Sequence, residues 1–123
     1  MHKFRELKVW QRAMTLVVDI YRITQPFPSV EQFGLTNQLR RVAVSIPLNI
    51  SEGAGSGYNP EFIRFLRIVL RSCYEVMTAV EIAQRLTYCT PQQAAQINQE
   101  ADEIAAMITG LIKSLNSRHQ PPP

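Results

Sequence analysis

Arginine is the residue type in this chain best placed for chemistry, and its spacing suits anion binding rather than catalysis. With about 100° of turn per residue, Arg64, Arg67, Arg71 and Arg85 fall within about 60° of arc on one helix face. At helical rise that line runs about 32 Å from first to last. A row of guanidiniums suits a row of phosphates, which arginine grips with a planar fork of donors. Arg40 and Arg41 add a neighbouring pair on the preceding segment. The same face has a second reading: a solvated surface compensated by Glu75 and Glu81, with Arg71 pairing to Glu75 four residues on.

Other chemistries lack their residues. Di-iron bundles need inward carboxylates and a Glu-x-x-His pair, but the two histidines, His2 and His119, lie in the terminal segments. Zinc spacings of Cys and His are missing, and so is a nucleophile beside a placed histidine. Gly53-x-Gly55-x-Gly57 lacks the Lys-Ser/Thr ending of a phosphate loop. Cys73 falls on a core stripe and reads as an inert buried thiol. Asn49-Ile50-Ser51 matches a glycosylation sequon but has no secretory signal to give it meaning. The expectation is a protein that is not an enzyme and that uses no metal or cofactor.

The elements that must carry these residues follow from composition and periodicity. A chain of 123 residues, 46% of them hydrophobic, is one domain able to bury its own core. Two cysteines make no disulfide framework, and the apolar runs fall short of the ~20 residues of a membrane span. Met1 to Glu6 is charged, unlike a signal peptide, so a cytoplasmic protein with no membrane partner is expected. The net charge of +3 is unevenly spread. Residues 1–71 hold ten basic against five acidic side chains, and residues 72–123 hold three against five.

Four helices are predicted, at about 8–24, 30–52, 60–87 and 91–116, forming one domain over 1–116 with a disordered, proline-rich tail over 117–123. In the first, Trp10, Ala13, Met14, Val17, Ile20, Tyr21 and Thr24 recur at helical spacing. Pro26 and Pro28 stop it. Ser29 and Gln32 form a capping-box pattern for the second, whose stripe is Leu35, Leu39, Val42, Ala43, Ile46 and Ile50. Asn59-Pro60 opens the third as cap and first helical residue. Its stripe runs from Phe62 through Leu66, Val69, Cys73 and Val76 to Ala83. Thr90 and Gln93 box the fourth, which carries Ile97, Ala101, Ile104, Ile108, Leu111 and Leu115. Four amphipathic helices on short connections make an all-α, antiparallel up-down-up-down four-helix bundle.

Some apolar residues are left over. Val44 and Leu48 point away from the second helix's core side, and Ile63, Leu70 and Tyr74 lie off the stripe of the third. Two such groups on one small bundle suggest a subunit interface, hence a homo-oligomer. Pro47 is the odd residue, set inside an otherwise good helix, where it leaves the carbonyl of Ala43 without its usual donor. Ser45 and Asn49 are near enough to help. Pro47 reads either as a kink fitted to packing or as part of a contact site with Asn49 and Glu52.

These residues also carry a resemblance. Val9-Trp10-Gln11-x-Ala13, Phe33-Gly34-Leu35, Gln38-Leu39-Arg40-Arg41 and Ser45-Ile46-Pro47-x-Asn49-Ile50-x-Glu52-Gly53 resemble the signature of one family. Its members are four-helix-bundle proteins encoded in intervening sequences of bacterial large-subunit ribosomal RNA genes. The chain is similar also to the accessory proteins of diversity-generating retroelements. The match continues through Phe62-x-x-Phe65-Leu66 and Glu75. The resemblance implies a closed homo-oligomeric ring, a pentamer, with no catalytic residue to carry over. Its retroelement relatives are basic, bind nucleic acid and dock on a reverse transcriptase. Two functions therefore stand as expectations. One is a scaffold that binds RNA or DNA, RNA favoured, through Arg40, Arg41, Arg64, Arg67, Arg71 and Arg85. The other is an oligomeric adaptor whose basic face meets an acidic protein partner.

Overall fold

A computed structural model describes residues 3–119, with side chains to Ser117. Among the described residues there are four α-helices and no strands: α1 (Lys8–Thr24), α2 (Leu35–Gly55), α3 (Asn59–Arg85) and α4 (Pro91–His119). Short 3-10 turns at Phe4–Glu6 and Ser29–Glu31 precede α1 and α2. Each helix packs on its chain neighbours and α4 closes back on α1, which makes the four-helix bundle. The α2–α3 pair runs antiparallel. Gly53 meets Phe62 and Phe65 at one end, and Leu35 and Gln38 share a groove with Ala79 and Ile82 at the other.

Local chemistry sets the helix ends, and it departs from the expected caps twice. Ser29 makes no capping bond, and α2 begins at Leu35 rather than near residue 30. The cap is Glu31, whose Oε1 accepts from the Leu35 amide at 3.0 Å while its Oε2 accepts from the Tyr88 hydroxyl at 2.9 Å. Both bonds favour the ionised carboxylate and hold Glu31 below its ordinary value of 4.5. Asn59 is the first residue of α3 rather than its cap, and no side chain caps that end. Thr90 and Gln93 do form the reciprocal box at the start of α4, with bonds of 2.9 and 3.1 Å. That helix runs on to His119, so Ser117 to His119 are helical rather than part of a tail. The remainder of the expected tail, Gln120 to Pro123, lies outside the described residues.

The core follows the stripes of α2, α3 and α4, but α1 is rotated by about one position. Val9, Ala13, Leu16, Ile20 and Thr24 are buried, whereas Met14 and Tyr21 are 42% and 43% exposed. Tyr21 stays outside because Arg40 of α2 lies over its ring, 4.6 Å from the centroid, and donates to Thr24 Oγ1 at 2.9 Å. Cys73 is buried, and burial pushes its thiol up to about 12, so it stays protonated and inert.

Pro47 is buried inside α2, which runs unbroken through it. Ser45 and Asn49 serve neighbouring carbonyls rather than that of Ala43. Asn49 Nδ2 donates to Ser45 O at 2.7 Å, and Ser45 Oγ donates to Val42 O at 2.6 Å. Ser45 Oγ also meets Ser72 Oγ at 2.9 Å, the polar tie between α2 and α3. Gly53 is required by contact distance. A Cβ there would stand 2.8 Å from Phe62 Cδ1 and 2.9 Å from Phe65 Cβ.

The α1–α4 seam adds charged residues outside its apolar core. Arg12 pairs with Glu103, and Glu100 faces Asp19 with one oxygen buried and lacking a hydrogen-bond donor. Burial first, and then the neighbouring Asp19, push Glu100 up to about 7. A carboxyl that holds its proton more tightly folded than unfolded favours folding most at low pH. That contribution fades as pH rises from about 4.5 to about 7 and is absent above.

Two outcomes follow. Gly53→Ala should destabilise the fold by about 1–3 kcal/mol through overpacking, read by urea unfolding. Thermal melts of Glu100→Gln should lose the decline in stability that the wild type shows between about pH 5 and pH 7. Parallel melting curves for the two proteins across that range would contradict the carboxyl pair.

Candidate nucleic-acid interface

The four arginines expected in a line are all exposed on α3, but they differ in their partners and in their height along the bundle. Arg64, Arg67 and Arg71 stand exposed along the first half of α3. Arg64 is tied to Glu61 and lies over the Phe65 ring, 4.6 Å from its centroid. Among the described residues Arg67 and Arg71 make no ion pair, and Arg71 does not bridge to Glu75. Arg85 sits at the far end of the helix and is paired to Glu81 at 3.4 Å. Arg40 is half-buried and spent on α1. Arg41 is exposed on α2, away from the other three.

Antiparallel packing brings different cations together. One end of the bundle carries the start of α1, the α2–α3 turn and the close of α4. Among the described side chains, the half of the bundle at that end holds Lys3, Arg5, Lys8, Arg12, Arg64, Arg67, Arg71 and Lys113 against Glu6, Glu52 and Glu61, a net of +5. The opposite half holds Arg22, Arg40, Arg41 and Arg85 against Asp19, Glu31, Glu75, Glu81, Glu100, Asp102 and Glu103, a net of −3. The protein is therefore charge-polarised along its axis. Tyr58, 61% exposed on the α2–α3 turn, adds an aromatic plane at the basic end. Tyr58 and the α1 cations were missed because they lie off the α3 face. Their signal was the antiparallel order itself, which assigns every residue a height.

The residues expected at a subunit interface divide. Leu48 and Tyr74 are 52% and 57% exposed, while Val44 and Leu70 are half-buried. Ile63 is a correction: it is 7% exposed and belongs to the core. Antiparallel pairing explains this, since it sets the end of α4, with buried Ile112 and Leu115, near the height of Ile63. Phe4, Trp10, Met14, Val17, Val44, Pro47, Leu48 and Ser51 line an apolar groove of about 350 Å³ between α1 and α2. Of the motif residues Ser45, Pro47, Asn49, Glu52 and Gly53, Glu52 alone is exposed, and the other four serve packing.

Among the described residues no group of three His, Cys, Asp or Glu could hold a metal ion. No helix among them is long and apolar enough to cross a membrane. By architecture the protein is an all-α four-helix bundle with a basic end and an apolar flank. The family model described as 23S rRNA-intervening sequence protein matches residues 5–110, and the chain belongs to that family. It is also similar to a crystal structure of a protein with unknown function from the S23 ribosomal protein family of Bacteroides thetaiotaomicron VPI-5482. That likeness has a TM-score of 0.77 at 27% identity, over 85% of this chain and 98% of the other. No curated protein matches the chain.

Proposed function

We propose that the protein is a non-enzymatic, cytoplasmic, homo-oligomeric scaffold that holds RNA through the basic end of its bundle, without reading sequence. The observation that carries this is the charge polarity, +5 at one half against −3 at the other among the described side chains. A polyanion is drawn to such an end by counterion release, and Arg67 and Arg71, exposed and without an ion pair among the described residues, are free to meet it. Tyr58 offers a stacking surface for an unpaired base, which favours a single strand over a duplex. The family description, naming an intervening sequence of 23S rRNA, points to RNA over DNA. Assembly into a closed ring, five subunits by resemblance, repeats the basic end so that several weak sites engage one strand together. The adaptor reading is the alternative, favoured by the apolar α1–α2 groove, and it expects no RNA binding at physiological salt.

Fluorescence anisotropy of labelled single-stranded RNA over a salt series tests this. Affinity should fall linearly on a log–log plot, by about 0.7 in slope per phosphate contact. Arg67→Ala/Arg71→Ala should lower that slope by about 1.4 on unrelated RNAs alike, and Arg85→Ala should leave it unchanged. Equal losses from Arg85→Ala, or identical curves for all variants, would overturn the assignment to the basic end.

A further inference from the structure

Arg64 stands at the basic end of α3 with little charge left to offer a phosphate. Its Nε donates to Glu61 Oε1, three residues back along the helix, in an ion pair. Its guanidinium lies over the Phe65 ring, 4.6 Å from the centroid. The side chain is nevertheless 61% exposed. Arginine meets an aromatic ring with its own plane. With one face on Phe65 and Glu61 at its edge, the other face of that plane is turned to solvent. Arg67 and Arg71 are the reverse case, exposed and with neither a carboxylate nor a ring beside them among the described residues. The other two guanidinium–ring contacts differ as well. Arg5, 4.7 Å from the centroid of Phe4, has no ion pair among the described residues and keeps its charge. Arg40, over Tyr21, is half-buried and donates to α1.

Helix geometry sorts these residues into two lines. Tyr58 accepts the Phe62 amide at 3.0 Å, so it already sits in helical register. At about 100° per residue, Tyr58 and Phe65 fall within about 20° of one another around α3 and about 10 Å apart along it. Arg67 and Arg71 form the second line, about 6 Å apart in height. Arg64 springs from between the two lines and leans toward the aromatic one. A single strand laid along α3 sets its phosphates on Arg67 and Arg71 while its bases turn toward Tyr58 and the Arg64 plane.

We propose that Arg64 is a base-stacking residue rather than a phosphate ligand. The outer face of its guanidinium, backed by Phe65 and held by Glu61, takes one unpaired nucleobase, and Tyr58 takes another. This rests on the RNA reading proposed above and names the part of the ligand that the site recognises: the flat faces of unpaired bases, whatever their identity. A duplex keeps those faces stacked inside the helix and meets the phosphate contacts alone. Stacking releases no counterions, so it adds affinity without adding to the salt slope.

Fluorescence anisotropy over a salt series separates the two kinds of contact with three labelled probes of equal length. They are a single-stranded RNA, an abasic strand with the same phosphates and no bases, and an RNA duplex. Arg64→Lys keeps the charge and loses the plane. It should weaken single-stranded RNA about 5- to 150-fold at unchanged slope, and bind the abasic strand and the duplex as wild type does. Tyr58→Leu should show the same pattern. Arg67→Ala/Arg71→Ala should instead lower the slope on all three probes. Helical circular dichroism serves as the fold control. Wild-type binding of single-stranded RNA by Arg64→Lys, or an equal loss on all three probes, would overturn the stacking role while leaving RNA at the basic end. No binding of any probe by the wild type would overturn both.

Discussion

The rest of the structure depends on how closely α2 approaches α3 at Gly53. A single added carbon there would stand within 3 Å of two phenylalanine side chains. The serine pair at the middle of the same interface fixes the sliding register that this contact begins. Once those two helices are set, α1 and α4 fold back on either side and every charged residue acquires a height. Charge polarity and the division of the arginines both descend from that register. Function in this account is carried by where the packing puts ordinary surface residues, not by any cluster of reactive groups.

Much of the fold was legible in the sequence, for a physical reason: long helices repeat their apolar positions often enough for packing noise to average out. The core residues of α3 and α4 were read nearly whole, and the Thr90–Gln93 cap depends on neighbours three residues apart. Failures fell where a distant partner decides. Glu31 caps α2 only because it also holds Tyr88, 57 residues away. Met14 and Tyr21 look as apolar as Leu16, and only the arrival of Arg40 on α1 leaves Tyr21 outside.

The candidate site was less legible, because a helical wheel gives angle without neighbours. Four arginines share an angle, but Glu81 draws in Arg85, and Arg40 belongs to the α1–α2 joint. The lysines and arginine at the start of α1 share no angle with the α3 face, yet antiparallel packing places them at the same end. Ile63 shows the same effect in the core: it lies off the expected stripe of α3, yet the packed bundle buries it with Ile112 and Leu115.

The seams of the bundle differ in kind, and this bears on how it works. The α2–α3 contact is close-packed at Gly53, while α1 and α4 add Arg12–Glu103 and a carboxyl pair to their share of the apolar core. The central claim, that the basic end is where the polyanion lies, is tested most directly by cross-linking. Ultraviolet cross-linking of the full chain to single-stranded RNA, followed by peptide mapping, reads the location residue by residue. The account predicts cross-links within residues 3–12 and 58–71, on Phe4, Trp10, Tyr58 or Phe65. Cross-links concentrated on Phe33 and Tyr88, at the acidic end, would contradict it.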